Sequence, residues 1–383
     1  MSRIKILQLQ PNYNVKSDIA TDLAEQLMVG LSPEQFDVTS AYLSGRPYSG
    51  QPISVASKSY YFDIPDKSLN GMRIAALWKV FWYCKQNKFD VIICNRFKTV
   101  SVLLLLNKII RAPLCIGISH ITDEYRRAYR RWQVNTFADK RWQFIGVSDA
   151  VKDTMLQHGK GFTPVNTHAI PNAIDVEAVE SRLLTKEAAR QKLNLPKDAV
   201  IIGAIGRLAS SKGHTYLIEA LHHLKNKYPN VHLGIIGAGD EKANLLAKAQ
   251  AYGLSDRVHL LGFIPNAIHY VKGFDVWTMP SLREGLGLAL LEGMAGKLPV
   301  IASDIPAMKA LVEGAGGLKV RPKSTEDLIK ALDIYLAMSA AERARHGEIA
   351  YNYVKTQHNI VTYRKNYCDF ILQHLQRDKH AEN

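Results

Sequence analysis

The feature that most constrains this chain is a repeated alternation: short apolar runs rich in Val, Ile and Leu, each followed by a longer stretch of helical periodicity. In the first half the runs are Ile4–Leu9, Phe36–Tyr42, Val91–Cys94, Leu114–Ile118 and Phe144–Val147. In the second they are Val200–Gly206, Val231–Ile236, Val258–Leu261, Val276–Met279 and Pro299–Ala302. Runs this continuous suit strands buried on both faces, as in a parallel sheet covered by helices. Two rounds of the alternation predict two doubly wound α/β domains, and 383 residues exceed what one ordinary core holds. Pro171 and Asn172 punctuate the segment Ile170–Val176 and mark the expected boundary. The organisation expected is 1–170, 171–355 and a final helical segment 356–383 that packs back on the first domain. A helical pattern closes the chain from about Glu342 to Gln376.

Composition removes several classes of function. The longest apolar stretch, Val100–Leu106, stops at Asn107 and Lys108, far short of the ~20 residues that span a bilayer. Met1–Gln10 reads as a first strand, not a signal peptide. Cys84, Cys94, Cys115 and Cys368 form no Cys-x-x-Cys pair, which suits a reducing cytoplasm and gives no metal framework. A cytoplasmic protein is therefore expected. A net charge of +14, from 49 Lys and Arg against 35 Asp and Glu, attracts nucleic acid, anionic lipid or phosphorylated substrate without choosing among them.

Open parallel sheets bind ligands beyond the carboxyl ends of their strands, so the loops that follow the apolar runs carry the chemistry. After Val200–Gly206 comes Arg207-Leu208-Ala209-Ser210-Ser211-Lys212-Gly213-His214, whose two cations can converge on one diphosphate. The Walker A spacing is absent from it. After Val276–Met279 comes Pro280-Ser281-Leu282-Arg283-Glu284-Gly285-Leu286-Gly287-Leu288-Ala289-Leu290-Leu291-Glu292, a turn that runs into a helix. Its glycines admit a ligand close to backbone N–H groups, and a helix N-terminus favours a phosphate. Glu284 sits in the turn, where a carboxylate can accept sugar hydroxyls, and Glu292 lies about two helical turns on. Gly237-Ala238-Gly239 has Lys242 where a dinucleotide fingerprint needs its third glycine, which argues against a dehydrogenase.

The Glu284-x7-Glu292 segment resembles the motif of the family 4 retaining glycosyltransferases. Val147-Ser148, Pro171–Asp175, Gly206–Leu208 with Lys212-Gly213, Gly237–Gly239 and Pro299–Asp304 match in register, over roughly residues 145 to 320. The chain is also similar to bacterial lipopolysaccharide-core glycosyltransferases. The resemblance implies the GT-B fold: α/β, two Rossmann-like doubly wound parallel-sheet domains facing across a cleft. It implies that Arg207 and Lys212 hold the diphosphate of a nucleotide-sugar. Glu284 would bind the donor sugar with backbone groups at Gly285, Leu286, Gly287 and Leu288, and Glu292 the ribose. Gly262, Phe263 and Ile264 would meet the base. It further implies transfer of a hexose with retention, from a UDP-sugar such as UDP-glucose to a glycan or glycolipid.

His120 follows the run Leu114–Ser119 and is expected at a strand's carboxyl end; similar proteins place a His there, facing the transferred sugar. Where many members have a Gly-Gly pair after the first strand, this chain has Gln10–Ser17, in which Asn14 and Lys16 are side-chain donors of lesser weight. Tyr125–Trp132 brings Arg126, Arg127, Arg130 and Arg131 together with aromatics. A nucleic-acid site, a solvated helix face and an acceptor-facing surface for anionic lipid or phosphorylated glycan all fit that pattern. The transferase resemblance favours the last, with peripheral contact at the inner face of the cytoplasmic membrane and no nucleic acid. No Asp-x-Asp occurs, so no metal and no cofactor are expected. A sugar-nucleotide epimerase of the same fold and a non-catalytic nucleotide-sugar-binding partner protein are the alternatives.

Overall fold

The computed structural model describes residues 3–381, which form two compact units: residues 3–172 with 360–381, and Ala173–Asn359. The first holds β1 (Ile4–Asn12), β2 (Phe36–Ser44), β3 (Lys58–Tyr61), β4 (Val91–Asn95), β5 (Leu114–Ser119), β6 (Trp142–Gly146) and β7 (Thr167–Ala169). The second holds β8 (Val200–Ile205), β9 (Val231–Ile236), β10 (Val258–Leu260), β11 (Val276–Met279), β12 (Val300–Ser303) and β13 (Leu318–Val320). Both sheets are parallel, in the orders β3-β2-β1-β4-β5-β6-β7 and β10-β9-β8-β11-β12-β13.

Each order reverses direction once, between β1 and β4 and between β8 and β11, and these are the points where a doubly wound sheet opens a crevice. The central strands are covered on both sides: the neighbours Ile6 and Leu7 are fully buried, as are Ile201 and Ile202. Because successive side chains in a strand point to opposite faces, this requires helices on each face.

Three strands lack the apolar run that marks the others. β3, β7 and β13 are sheet edges, and β3 exposes most of its side chains, so no pressure keeps their sequences apolar. The closing helical pattern is also divided. One helix, Ala340–Gln357, ends at His358; a second begins at Ile360. The break has a cause: Ile174 donates to the His358 carbonyl at 3.1 Å and bridges Asn359, taking that backbone out of the helix. The second helix lies on Leu23–Val29 in the first unit, where Tyr363 Oη donates to the Leu23 carbonyl at 3.1 Å and Arg364 Nε to Gln26 Oε1 at 2.9 Å.

Candidate donor site and the acceptor-side loops

In the second unit, four loops meet at the carboxyl ends of β8, β9, β10 and β11. Gly213 is the hinge of the first. Its φ is +69°, and a side chain there would collide with the Pro280 carbonyl, so the β8 and β11 loops touch only because this residue is glycine. Leu282 N–H then donates to the Ser211 carbonyl at 2.8 Å. Gly237 approaches the Gly206 carbonyl as closely, and donates to the Gly262 carbonyl at 2.8 Å. The β8 loop is thus held between the β9 and β11 loops by backbone.

This seam sets the side chains. Lys212 Nζ lies 2.5 Å from Glu284 Oε1, in an ion pair that is only 22% and 14% exposed. Arg207 is exposed and, among the described residues, enters no ion pair. Gly285, Leu286 and Gly287 are buried, and Leu288 opens the helix Leu288–Ala295, whose N-terminus has no side-chain cap. No cap side chain accepts from its first N–H groups, which carry the positive end of the helix dipole. Glu292, half-buried, lies further along the same helix. Phe263 is 76% exposed beside Gly262, and Ile264 is half-buried. Arg207, Lys212, Glu284 and the segment 285–288 are therefore joined through the contacting β8 and β11 loops, and Gly262 joins them through Gly237.

His214, which starts the helix after Lys212, has no marking in the sequence that would single it out. It is 5% exposed, and burial, with a smaller push from the Lys212 charge, lowers its pKa to about 4. A neutral imidazole under the Lys212 loop adds no charge to compete with that ammonium.

In the first unit, His120 stands at the end of β5. Its Nε2 donates to Asn95 Oδ1 at 3.1 Å, and its backbone N–H donates to Glu124 Oε2 at 3.1 Å. Burial first, then the neighbouring Arg96 charge, lowers its pKa to about 4, so the ring is neutral at pH 7. Sequence reasoning does not reach Glu124 and Asn95. Glu124 is 5% exposed and also accepts from Phe97 N–H at 2.7 Å and Ser119 Oγ at 3.0 Å. One buried carboxylate therefore ties the β4 loop to the β5 loop and fixes His120 between them. Their only signal in the sequence is position, Asn95 at a strand end and Glu124 four residues after His120.

Two groups of expected residues are engaged differently. Lys16 Nζ donates to the Thr21 carbonyl at 2.6 Å, and its N–H to Asp22, so it braces its own loop, while Asn14 is exposed. Arg130 donates to the Glu124 carbonyl at 2.6 Å, and Arg131 to the carbonyls of Tyr125 and Arg126. Only Arg126 and Arg127 of the four arginines are exposed. Among the described residues, no helix is long and apolar enough to cross a membrane.

Comparison with known proteins gives these loops a context. Residues 23–178 match the model of Glycosyltransferase Family 4, and residues 185–353 that of Glycosyl transferases group 1. An uncharacterized glycosyltransferase of Haemophilus influenzae is 34% identical over 149 residues, 37% of this chain and 42% of the relative. A lipopolysaccharide core biosynthesis mannosyltransferase of Rhizobium leguminosarum is 27% identical over 273 residues, 68% of this chain and 72% of the relative. The chain spans between 34% and 46% of the length of the first curated relatives it matches. Among solved structures, Anabaena HepE in complex with UDP and glucose has the same fold, with a TM-score of 0.77 at 20% identity over 96% of this chain and 99% of that one. That fold, two doubly wound parallel-sheet units, is GT-B. With one family domain matched in each half, the chain belongs to the glycosyltransferases built from a Family 4 domain followed by a group 1 domain.

Proposed function

We propose that the protein is a retaining hexosyltransferase. It moves a hexose from a nucleotide-sugar, a UDP-sugar and first of all UDP-glucose, to an anionic glycan or glycolipid acceptor. The observation that carries this reading is the Lys212–Glu284 pair at 2.5 Å, set beside an uncapped helix N-terminus by the contact of two switch-point loops. Arg207, Lys212 and that helix end supply positive charge where a departing diphosphate would gather negative charge, which is electrostatic stabilisation of the leaving group without a metal. Glu284 accepts hydroxyls of the donor sugar, Glu292 those of the ribose, and Gly262–Ile264 meet the base. His120, kept neutral, is an uncharged hydrogen-bond group for the transferred sugar.

The relatives support the substrate class. One is a mannosyltransferase of lipopolysaccharide core biosynthesis, and a protein of the same fold was solved with UDP and glucose. Lipopolysaccharide core or surface polysaccharide synthesis is the setting this favours, with the enzyme on the cytoplasmic side of the membrane. The test is to offer UDP-, GDP- and ADP-sugars with a phosphorylated core oligosaccharide and to follow nucleoside diphosphate release. Nuclear magnetic resonance of the product then reads the anomer. Acceptor-dependent release with retention is expected; conversion of the donor to its epimer without acceptor would overturn the reading.

A further inference from the structure

The helix Ile74–Asn87 in the first unit carries an unpartnered stripe. Ile74, Trp78 and Trp82, spaced four residues apart, are 66%, 63% and 40% exposed, and Met72 just before them is 79% exposed. Residues at this spacing share one face of a helix. The same helix turns Ala76, Val80 and Cys84 into the core, so the outward stripe is not an error of packing but a second apolar face. Isolated exposed apolar residues are ordinary; three in line on one helix face, two of them tryptophan, with a fourth just before the helix, are not.

On the helix itself the charges have one sign. The helix contains no acidic residue, and Lys85 lies over the Trp82 ring at 5.2 Å with exposed Lys88 just beyond. At the other end, Arg73 lies near Tyr129, whose hydroxyl accepts from Arg130 Nε at 3.2 Å, and the exposed Arg126 and Arg127 lie in the same Arg-rich segment. Asp63, on the groove beside Trp78, is already paired with Arg46. An apolar stripe rimmed by cations, with tryptophans at the polar boundary, has the chemistry of an interfacial helix lying flat on anionic lipid.

We infer that the protein docks on an anionic bilayer through the Ile74–Trp78–Trp82 stripe, with Lys85, Lys88, Arg126 and Arg127 meeting the lipid headgroups. The Arg-rich segment is then one rim of the contact, not its centre. At 14 residues the helix is about 21 Å long, enough to seat several lipids with its apolar face at the headgroup–acyl boundary and too short to span the bilayer. A bilayer suits the stripe better than a soluble glycan does, because Met72 and Ile74 offer no ring face to a sugar. The link from docking to turnover rests on the transferase reading, but the docking itself does not.

The test uses the full-length protein with vesicles of phosphatidylglycerol or of phosphatidylcholine, each with or without brominated acyl chains. Wild type is expected to sediment with phosphatidylglycerol vesicles, to be released by salt, and to lose tryptophan fluorescence when the chains are brominated. Trp78→Ser with Trp82→Ser should cut partitioning roughly tenfold or more and abolish the brominated-chain quenching, while transfer to a water-soluble acceptor stays at the wild-type rate. Arg126→Gln with Arg127→Gln should weaken only the salt-sensitive part. Unchanged vesicle binding in the tryptophan variant overturns the inference. So does a wild type that ignores anionic vesicles while a soluble oligosaccharide alone perturbs its tryptophan fluorescence, which would make the groove a sugar platform. Loss of transfer to the soluble acceptor in wild type would count against the enzyme reading alone.

Discussion

Lys212 and Glu284, 72 residues apart in sequence, hold each other at 2.5 Å across the contact of the β8 and β11 loops. Each is thereby neutralised in the free protein, and a diphosphate must compete with Glu284 for the ammonium. Lys212→Ala should weaken UDP binding by about 1.5–3 kcal/mol, roughly tenfold or more. Glu284→Gln should do the opposite to binding, leaving UDP affinity unchanged or higher because Lys212 is released, while turnover falls by two orders of magnitude or so. Parallel titration and rate measurements on the two variants check this; equal loss of UDP affinity in both would refute it.

Gly213 makes the loop contact possible, so its replacement should act through geometry. Gly213→Ala places a side chain at φ +69° and against the Pro280 carbonyl. The expected cost is about 1–3 kcal/mol of stability, with donor binding lost in proportion as the loops part. Thermal denaturation with and without UDP reads both effects. A variant with wild-type melting temperature and wild-type UDP stabilisation would show that the contact is dispensable.

Acid should destabilise both units through histidine. His120 and His214 titrate near 4 in the folded protein against 6.5 when free, so the folded state binds fewer protons between those values. Their contribution is full above pH 6.5 and is lost as pH falls through to about 4. Each ring gives up at most about 1.4 kcal/mol for every pH step of one crossed in that window. Denaturant titrations should give a midpoint that falls over this window, and His214→Gln should flatten the fall. A midpoint independent of pH in that range would contradict the burial of the rings.

The strands that carry the sites were legible because they are buried on both faces, which forces the apolar runs at Val200–Ile205 and Val276–Met279. Their loops were legible because glycine and charge alternate there. β3, β7 and β13 were not, since an edge strand answers to one neighbour and to water. Nor was the division of the last helix at His358, where the backbone of Ile174, remote in sequence, decides the outcome. At the sites, sequence order could show that Lys212 and Glu284 are charged but not that they meet. Glu124 illustrates the limit: its function comes from accepting three donors brought by two loops, and nothing within a local window marks it.

Charge supplied by Arg207, Lys212 and the helix at Leu288 should suffice for a departing diphosphate. Transfer is therefore expected to persist in excess chelator at a rate within about twofold of the untreated enzyme, a change under ~0.5 kcal/mol in the barrier. Initial rates with EDTA, then with added Mg²⁺ or Mn²⁺, measure it. Abolition by EDTA and rescue by either ion would point to a metal-assisted reaction instead.

Binding of a nucleoside diphosphate by the second unit, through the β8 loop, is what the transferase reading rests on. Calorimetric titration of UDP into wild type and into Arg207→Ala tests it most directly. One UDP per chain is expected for wild type, and affinity weaker by about tenfold or more for the variant, since a charge-assisted contact is removed while the fold stands. Absence of UDP binding in the wild type, or equal affinity in Arg207→Ala, would contradict it.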